Sequence, residues 1–193
     1  MREWAAFFVR WRVRVGYPLA AVVLWLARPT LRSICAGAAI GAGGLLLRAY
    51  AAGYLRKKET LTVTGPYAVT RNPLYLGSAI LALGVGVATH SVIAGALLVA
   101  YFAVFYYVVM RREEGELRKI HGAAFEAYAR RVPLFFPWLR RSAASDDGQS
   151  AGRFSFAQYV KNHEWQAGVG FLLVLGALVL IWWLRLGGRI SWS

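Results

Sequence analysis

Apolar and polar stretches alternate along the chain on the scale of whole helices. Long apolar runs occupy about Val13 to Ala27, Leu31 to Tyr54, Pro73 to Thr89, Ser91 to beyond Met110, and Glu164 to Leu184. A membrane helix needs about 20 mostly apolar residues, so each run is a candidate crossing. The first is short and has an aromatic, amphipathic lead-in of Trp4, Phe7, Phe8 and Trp11; Pro29 closes it. The second carries Gly37, Ala38, Gly41, Ala42, Gly43 and Gly44, small residues whose spacing lets helices approach closely. Only His90 separates the third run from the fourth, which predicts a tight antiparallel hairpin. A polar stretch, RRSAASDDGQSAGRFS, lacks periodicity and reads as a linker before the last run. The expected fold is all-α: a polytopic integral membrane helical bundle of about five transmembrane helices. Its core is residues 1–141, followed by a linker at 142–162 and an additional C-terminal transmembrane helix at 163–193. The last two parts read as an appendage to the core.

Composition agrees with a membrane protein. Of 193 residues, 58% are hydrophobic and 17% charged. The net charge of +14, from 23 Lys+Arg against 9 Asp+Glu, sits between the apolar runs. Anionic headgroups and topology explain such placement better than nucleic acid does, so no nucleic-acid partner is expected. Basic residues cluster before the first run, between the second and third, and after the fourth, while the turn at His90 has none. That pattern puts the N-terminus inside and the C-terminus outside. Arg28 and Arg32 then fall outside, against the rule. No cleavable signal peptide is expected, because Arg10, Arg12 and Arg14 interrupt the first stretch. Cys35 offers no disulfide or thiol metal site and is expected as a small core residue. His90, His121 and His163 are scattered without metal-ligand spacing, and His121 precedes Gly122 at an expected helix end.

Two stretches stand out on the inner side. In TGPYAVTRNPLYLG, Asn72 is a preferred N-cap and Pro73 suits the first helical position. The helix N-terminus there is a natural seat for an anion. Tyr75, Ser78, Ala79 and Ala82 share one small, slightly polar face. In RREEGELRKIHGAAFEAYARRVPLFFP, spacing places Glu113 with Val109, Met110, Leu117 and Ile120 on an apolar stripe. Glu114 and Glu116 have arginines one turn away and are expected on a solvated face. An inward carboxylate needs a partner: a ligand's donors, or a salt bridge to Arg71 or Arg48.

Taken together, the two stretches resemble the isoprenylcysteine carboxyl methyltransferase and phospholipid methyltransferase family. There a G-P/V-Y-x(3)-R-H-P-x-Y-x-G stretch precedes a helical hairpin, and a Glu-rich stretch with a closing Val-Pro follows. The resemblance covers about residues 55 to 138. It implies an S-adenosyl-L-methionine-dependent methyltransferase of a bacterial inner membrane with its active site on the cytoplasmic side, between the membrane helices and a cytoplasmic cofactor-binding cap. By motif position, Tyr67, Asn72, Pro73, Leu74, Tyr75 and Glu113 match the family's cofactor contacts, with the backbone of Thr60, Leu61 and Thr62 lining the same pocket. No catalytic acid or base is assigned, since an activated methyl group needs mainly alignment and exclusion of water. No metal is implied. The expected partners are the lipid bilayer and a small amphiphilic or lipid-like methyl acceptor. Two departures bear on that acceptor and on the cofactor. Asn72 replaces the usual histidine, and Val109 stands where prenylcysteine-carboxylate enzymes carry an arginine. A membrane reductase of related fold and a non-catalytic scaffold remain as other readings.

Overall fold

A computed structural model describes residues 2–56, 60–137 and 154–187. The described residues form helices and connecting turns, with no strand among them. In chain order they are α1 (Arg2–Leu26), α2 (Leu31–Tyr54), a 3-10 turn at Gly65–Ala68, α3 (Pro73–Thr89), α4 (Val92–Arg131), α5 (Phe156–Lys161) and α6 (Trp165–Gly187). Among the described residues, three helices are long and apolar enough to cross a membrane: Leu31–Tyr54, Val92–Arg131 and Trp165–Arg185. Arg14–Leu26 and Pro73–Thr89 are shorter apolar helices. The aromatic lead-in at the N-terminus continues the first helix, which begins well before Val13, and Pro18 lies inside it. The linker expected at 142–162 lies partly outside the described residues.

Sequence-local chemistry sets most helix ends. Thr30 caps α2 through a reciprocal capping box with Ser33. Thr89 ends α3, His90 takes the left-handed conformation (φ 51°), and the Ser91 side chain caps α4 by accepting from the Ala94 amide. The hairpin predicted around His90 is therefore built as expected. From Val92 to His121 the first 30 residues of α4 extend about 45 Å at 1.5 Å per residue, half again the hydrocarbon thickness of a bilayer. Gly122, at φ 50° and ψ −123°, breaks this helix directly after His121.

Of the glycines singled out on α2, Gly37, Gly41 and Gly44 pack against α3, while Gly43 is exposed with nothing against it. A Cβ on Gly84 would lie 2.6 Å from both the Gly37 carbonyl oxygen and the Gly41 nitrogen; one on Gly44 would lie 2.6 Å from the Gly77 carbonyl oxygen. Backbone thus meets backbone along Gly37, Gly41 and Gly44 on one helix and Gly77 and Gly84 on the other. At the hairpin end, Ala27, Ile34, Ala88 and Leu178 form an apolar cluster. There the Arg28 amide donates to the Thr89 carbonyl and the Ser33 hydroxyl to the Ala88 carbonyl. Cys35 is exposed and not a core residue. It lies between the buried pair Ser33–Ile34 and Gly37, one step off the face that α2 turns inward.

Candidate active site

The polar equipment gathers at the other end of the bundle. There the 3-10 turn, the start of α3, the second half of α4 and the residues after it come together. The segment after α4 is stitched to the residues before α3. The Arg71 amide donates to the Pro133 carbonyl at 2.9 Å, Thr70 Oγ1 to the Phe135 carbonyl at 2.8 Å, and Asn72 Nδ2 to the Leu134 carbonyl at 2.9 Å. Asn72 is therefore not a side-chain N-cap. Its amide is consumed by a tertiary partner, and the cap position carries no side-chain hydrogen bond. Pro73 does occupy the first helical position, and it is fully buried.

The two glutamates exchange the places that spacing predicted. Glu114 is 4% exposed. It lies between Arg71, 2.5 Å away, and Arg111, 2.9 Å away. Glu113 is exposed, and its Oε1 accepts a 2.6 Å hydrogen bond from the Tyr75 hydroxyl. The inward stripe runs Met110, Glu114, Leu117, Phe125, whereas Ile120, counted toward the Glu113 stripe, is 58% exposed. The signal that finds Glu114 is this stripe together with Arg71, the arginine inside the first motif. Glu116 stays on the outside with Arg112, as expected.

The remaining predicted residues divide between the cavity and its supports. Tyr75 lines a cavity of about 520 Å³ with Gly16, Tyr17, Arg48, Tyr101 and Tyr106, within the range of small-molecule sites. The Tyr75 ring meets Tyr106 edge to face, and Tyr106 stacks on Phe102. The Leu74 carbonyl accepts from Arg48 Nη1 at 3.2 Å and from the Ser78 hydroxyl at 3.0 Å. Arg48 also bonds to the Ser78 hydroxyl. Ser78 thus turns toward α2, while Ala79 and Ala82, expected on its face, line a separate apolar groove. Leu61 packs on the Phe125, Tyr128 and Val132 cluster rather than on the cavity. The Thr62 hydroxyl faces the Arg56 amide at 3.4 Å, and Thr60 is exposed.

Tyr67 is 7% exposed, and its hydroxyl has no hydrogen-bond partner. Burial pushes this phenol well above the ordinary tyrosine range; the charges of Glu164 and Glu113 add to the shift, and Arg48 opposes it. It is a protonated donor inside the protein with nothing to donate to, and such groups are rare unless a ligand or water completes them. Its own carbonyl is held by the Tyr128 hydroxyl at 2.7 Å. Arg48 Nε is likewise buried without a partner.

On the far side of α3, the groove between α3 and α4 encloses about 1460 Å³. Leu83, Val87, Val99, Phe102 and Met110 line it, and Phe135 and Phe136 close it at the polar end. Phe102 stacks on Tyr106, so one line of rings joins the groove to the tyrosine-lined cavity.

Residues 11–124, more than half of the chain, match the family described as phospholipid methyltransferase. The chain belongs to the phospholipid methyltransferase family. The family region contains the Gly-Pro-Tyr turn, the start of α3, and both Glu113 and Glu114; the Pro133–Phe136 segment and α6 lie beyond it. Two curated relatives carry metal-resistance names. The nickel-cobalt-cadmium resistance protein NccN of Alcaligenes xylosoxydans xylosoxydans is 35% identical over 138 residues, 67% of this chain and 63% of the relative. The cobalt-zinc-cadmium resistance protein CzcN of Cupriavidus metallidurans is 36% identical over 138 residues, 67% of this chain and 62% of the relative. The chain therefore spans less than two thirds of the length of either relative. No solved structure matches. Among the described residues, no group of three or more His, Cys, Asp or Glu is arranged to hold a metal ion.

Proposed function

We propose that this family member transfers a methyl group from S-adenosyl-L-methionine to an amphiphilic or lipid-like acceptor. The site lies at the cytoplasmic face of a bacterial inner membrane, in a chain that crosses five times with its N-terminus inside. The observation that carries the reading is the 2.6 Å Tyr75–Glu113 hydrogen bond. It joins the two motif stretches at the wall of the tyrosine-lined cavity.

The residues present suit the cofactor. The orphaned Tyr67 hydroxyl, the Glu113 carboxylate, the partly unpaired Arg48 and the faces of Tyr17, Tyr75, Tyr101 and Tyr106 offer what a sulfonium, an amino acid and a purine require. When bound, the cofactor supplies an already activated methyl group. Glu113, oriented by Tyr75, accepts hydrogen bonds from an amine or hydroxyls and balances positive charge. Tyr67 donates to a ligand oxygen or nitrogen. The rings of Tyr75, Tyr106 and Phe102 hold the reacting ends in line and keep water out. The apolar groove takes the acceptor's hydrocarbon part, bringing a membrane-embedded tail beside a water-facing cavity. Val109, buried at 4%, brings no charge to clamp a carboxylate, so prenylated cysteine is a poor acceptor in this reading.

The relatives' names add a physiological expectation: methylation by this chain contributes to tolerance of nickel, cobalt, zinc or cadmium. Titrating the detergent-solubilised protein with S-adenosylhomocysteine tests the enzymatic reading. Saturable binding supports it, and no binding returns the choice to a reductase or a scaffold. Radiolabelled cofactor incubated with native membranes then identifies the labelled acceptor.

A further inference from the structure

Outside the family region, the C-terminal segment is fastened to α2 by specific contacts. The Ser155 amide donates to the Gly53 carbonyl at 3.0 Å, and Asn162 Nδ2 donates to the carbonyls of Ala52 and Leu55 at 2.9 and 3.2 Å. Phe154 lies against Gly53, and Phe171 against Gly41, where a Cβ on either glycine would collide with the ring. These contacts deliver Glu164 to Arg48. Its Oε2 lies 2.6 Å from Arg48 Nη2, with the two side chains 10% and 20% exposed. The other guanidinium nitrogen, Nη1, holds the Leu74 carbonyl and the Ser78 hydroxyl in the first turns of α3. Arg48 lines the same cavity as Tyr75, and Tyr67 feels the charge of both Arg48 and Glu164.

We propose that Glu164 is a positioning residue of the methyl-transfer site, supplied by a segment the family region does not include. A guanidinium on a long, flexible stem samples many rotamers, and fixing both of its terminal nitrogens leaves one. With Nη2 held by Glu164, Nη1 stays on the Leu74 carbonyl, and the Leu74–Tyr75 wall of the cavity stays in place. The C-terminal segment is then part of the working site. This inference rests on the cofactor reading above.

The test compares two breaks in the same fastening. Glu164→Gln removes the charge that holds Arg48. Asn162→Ala removes two hydrogen bonds of the same segment and leaves Arg48 untouched. Each variant is melted without ligand and titrated with S-adenosylhomocysteine well below its melting temperature. The expected result is that Glu164→Gln weakens the ligand about tenfold, the scale of one charge-assisted hydrogen bond. Asn162→Ala lowers the melting temperature yet leaves the affinity within about twofold, inside one RT. Glu164→Asp keeps the charge on a shorter stem and recovers part of the affinity, and it serves as the second variant if Glu164→Gln does not fold. Unchanged affinity in both Glu164 variants overturns the proposal. So does an equal loss in Asn162→Ala, which would make the segment a structural brace alone. Failure of the wild-type protein to bind S-adenosylhomocysteine removes the cofactor reading itself, and this inference with it.

Discussion

The two faces of α3 are built in opposite ways. Toward α2, the stripe Gly77, Leu81, Gly84, Ala88 lets backbone touch backbone, with the Arg48 stem laid over Gly77. Toward α4, residues such as Leu76, Leu83 and Val87 stand apart from their neighbours around a groove of about 1460 Å³. The helices of that hairpin are joined at one end by the His90 turn and at the other by polar ties: Arg71 to Glu114, Tyr75 to Glu113, and Arg71 to Pro133. A binding site needs a fixed wall and an open one. Close glycine packing fixes the helix that presents Leu74 and Tyr75. Ties confined to the ends leave the middle of the hairpin free for an apolar ligand.

Cutting the polar tie should have the largest effect. Glu114 is nearly sealed from solvent between two arginines, so Glu114→Gln leaves the positive charge of Arg71 without its partner. The side chain of Arg71 is itself only 14% exposed. Breaking one partner of a buried pair costs about 3–5 kcal/mol. The expected outcome is a large fall in melting temperature in detergent with or without ligand. A variant as stable as wild type would show that the tie does not hold the hairpin.

Its neighbour should behave differently. Glu113→Gln loses an exposed carboxylate that accepts the Tyr75 hydroxyl, so the ligand-free melt should hardly move. If Glu113 serves the cofactor, affinity for S-adenosylhomocysteine falls by about 1.5–3 kcal/mol, on the scale of a hydrogen bond to a charged group. Equal ligand stabilisation of wild type and Glu113→Gln at sub-saturating ligand would remove Glu113 from the site. The two substitutions together separate the structural acid from the functional one.

The tight face is probed at Gly84. A Cβ there meets the backbone of Gly37 and Gly41 at 2.6 to 2.9 Å, and backbone cannot swing aside as a flexible side chain can. Gly84→Ala should therefore destabilise by about 1–3 kcal/mol through overpacking, despite alanine's better helix propensity. A thermal melt of the variant, compared with wild type in the same detergent, reads this directly.

How much of this was legible from residues alone follows from the range of the interactions. The apolar runs become helices, although the first begins well before Val13, and the turn at His90, the break at Gly122 and the close contacts of Gly37, Gly41 and Gly44 are local patterns that appear where the sequence predicts them. The phase of α4 was not legible. Apolar residues flank Glu113 and Glu114 alike, so spacing alone favoured the wrong acid, and the deciding partner, Arg71, comes from another element. Asn72 failed for a similar reason: a local capping preference lost to the Leu134 carbonyl, brought in by tertiary structure. The pairing of Arg48 with Glu164, 116 residues apart, has no local signature at all.

The smallest effect belongs to the open face, and it carries the comparison to its limit. Gly86 lies on α3 only two residues from Gly84 but turns toward the groove. A Cβ there finds the Gly95 Cα at 3.4 Å, an ordinary contact, and then nothing nearer than a Leu98 methyl at 4.0 Å. Nothing has to move. Alanine also relieves the entropic cost of a helical glycine, about 0.5–1 kcal/mol. Gly86→Ala should therefore be neutral or slightly stabilising, opposite in sign to Gly84→Ala on the same helix. If both substitutions destabilise by similar amounts, the hairpin is packed as tightly as the α2 contact, and the groove is not the open wall described above. If the signs differ as expected but Gly86→Ala lowers turnover of an amphiphilic acceptor while S-adenosylhomocysteine affinity is kept, the added methyl group has taken space that the acceptor's tail uses.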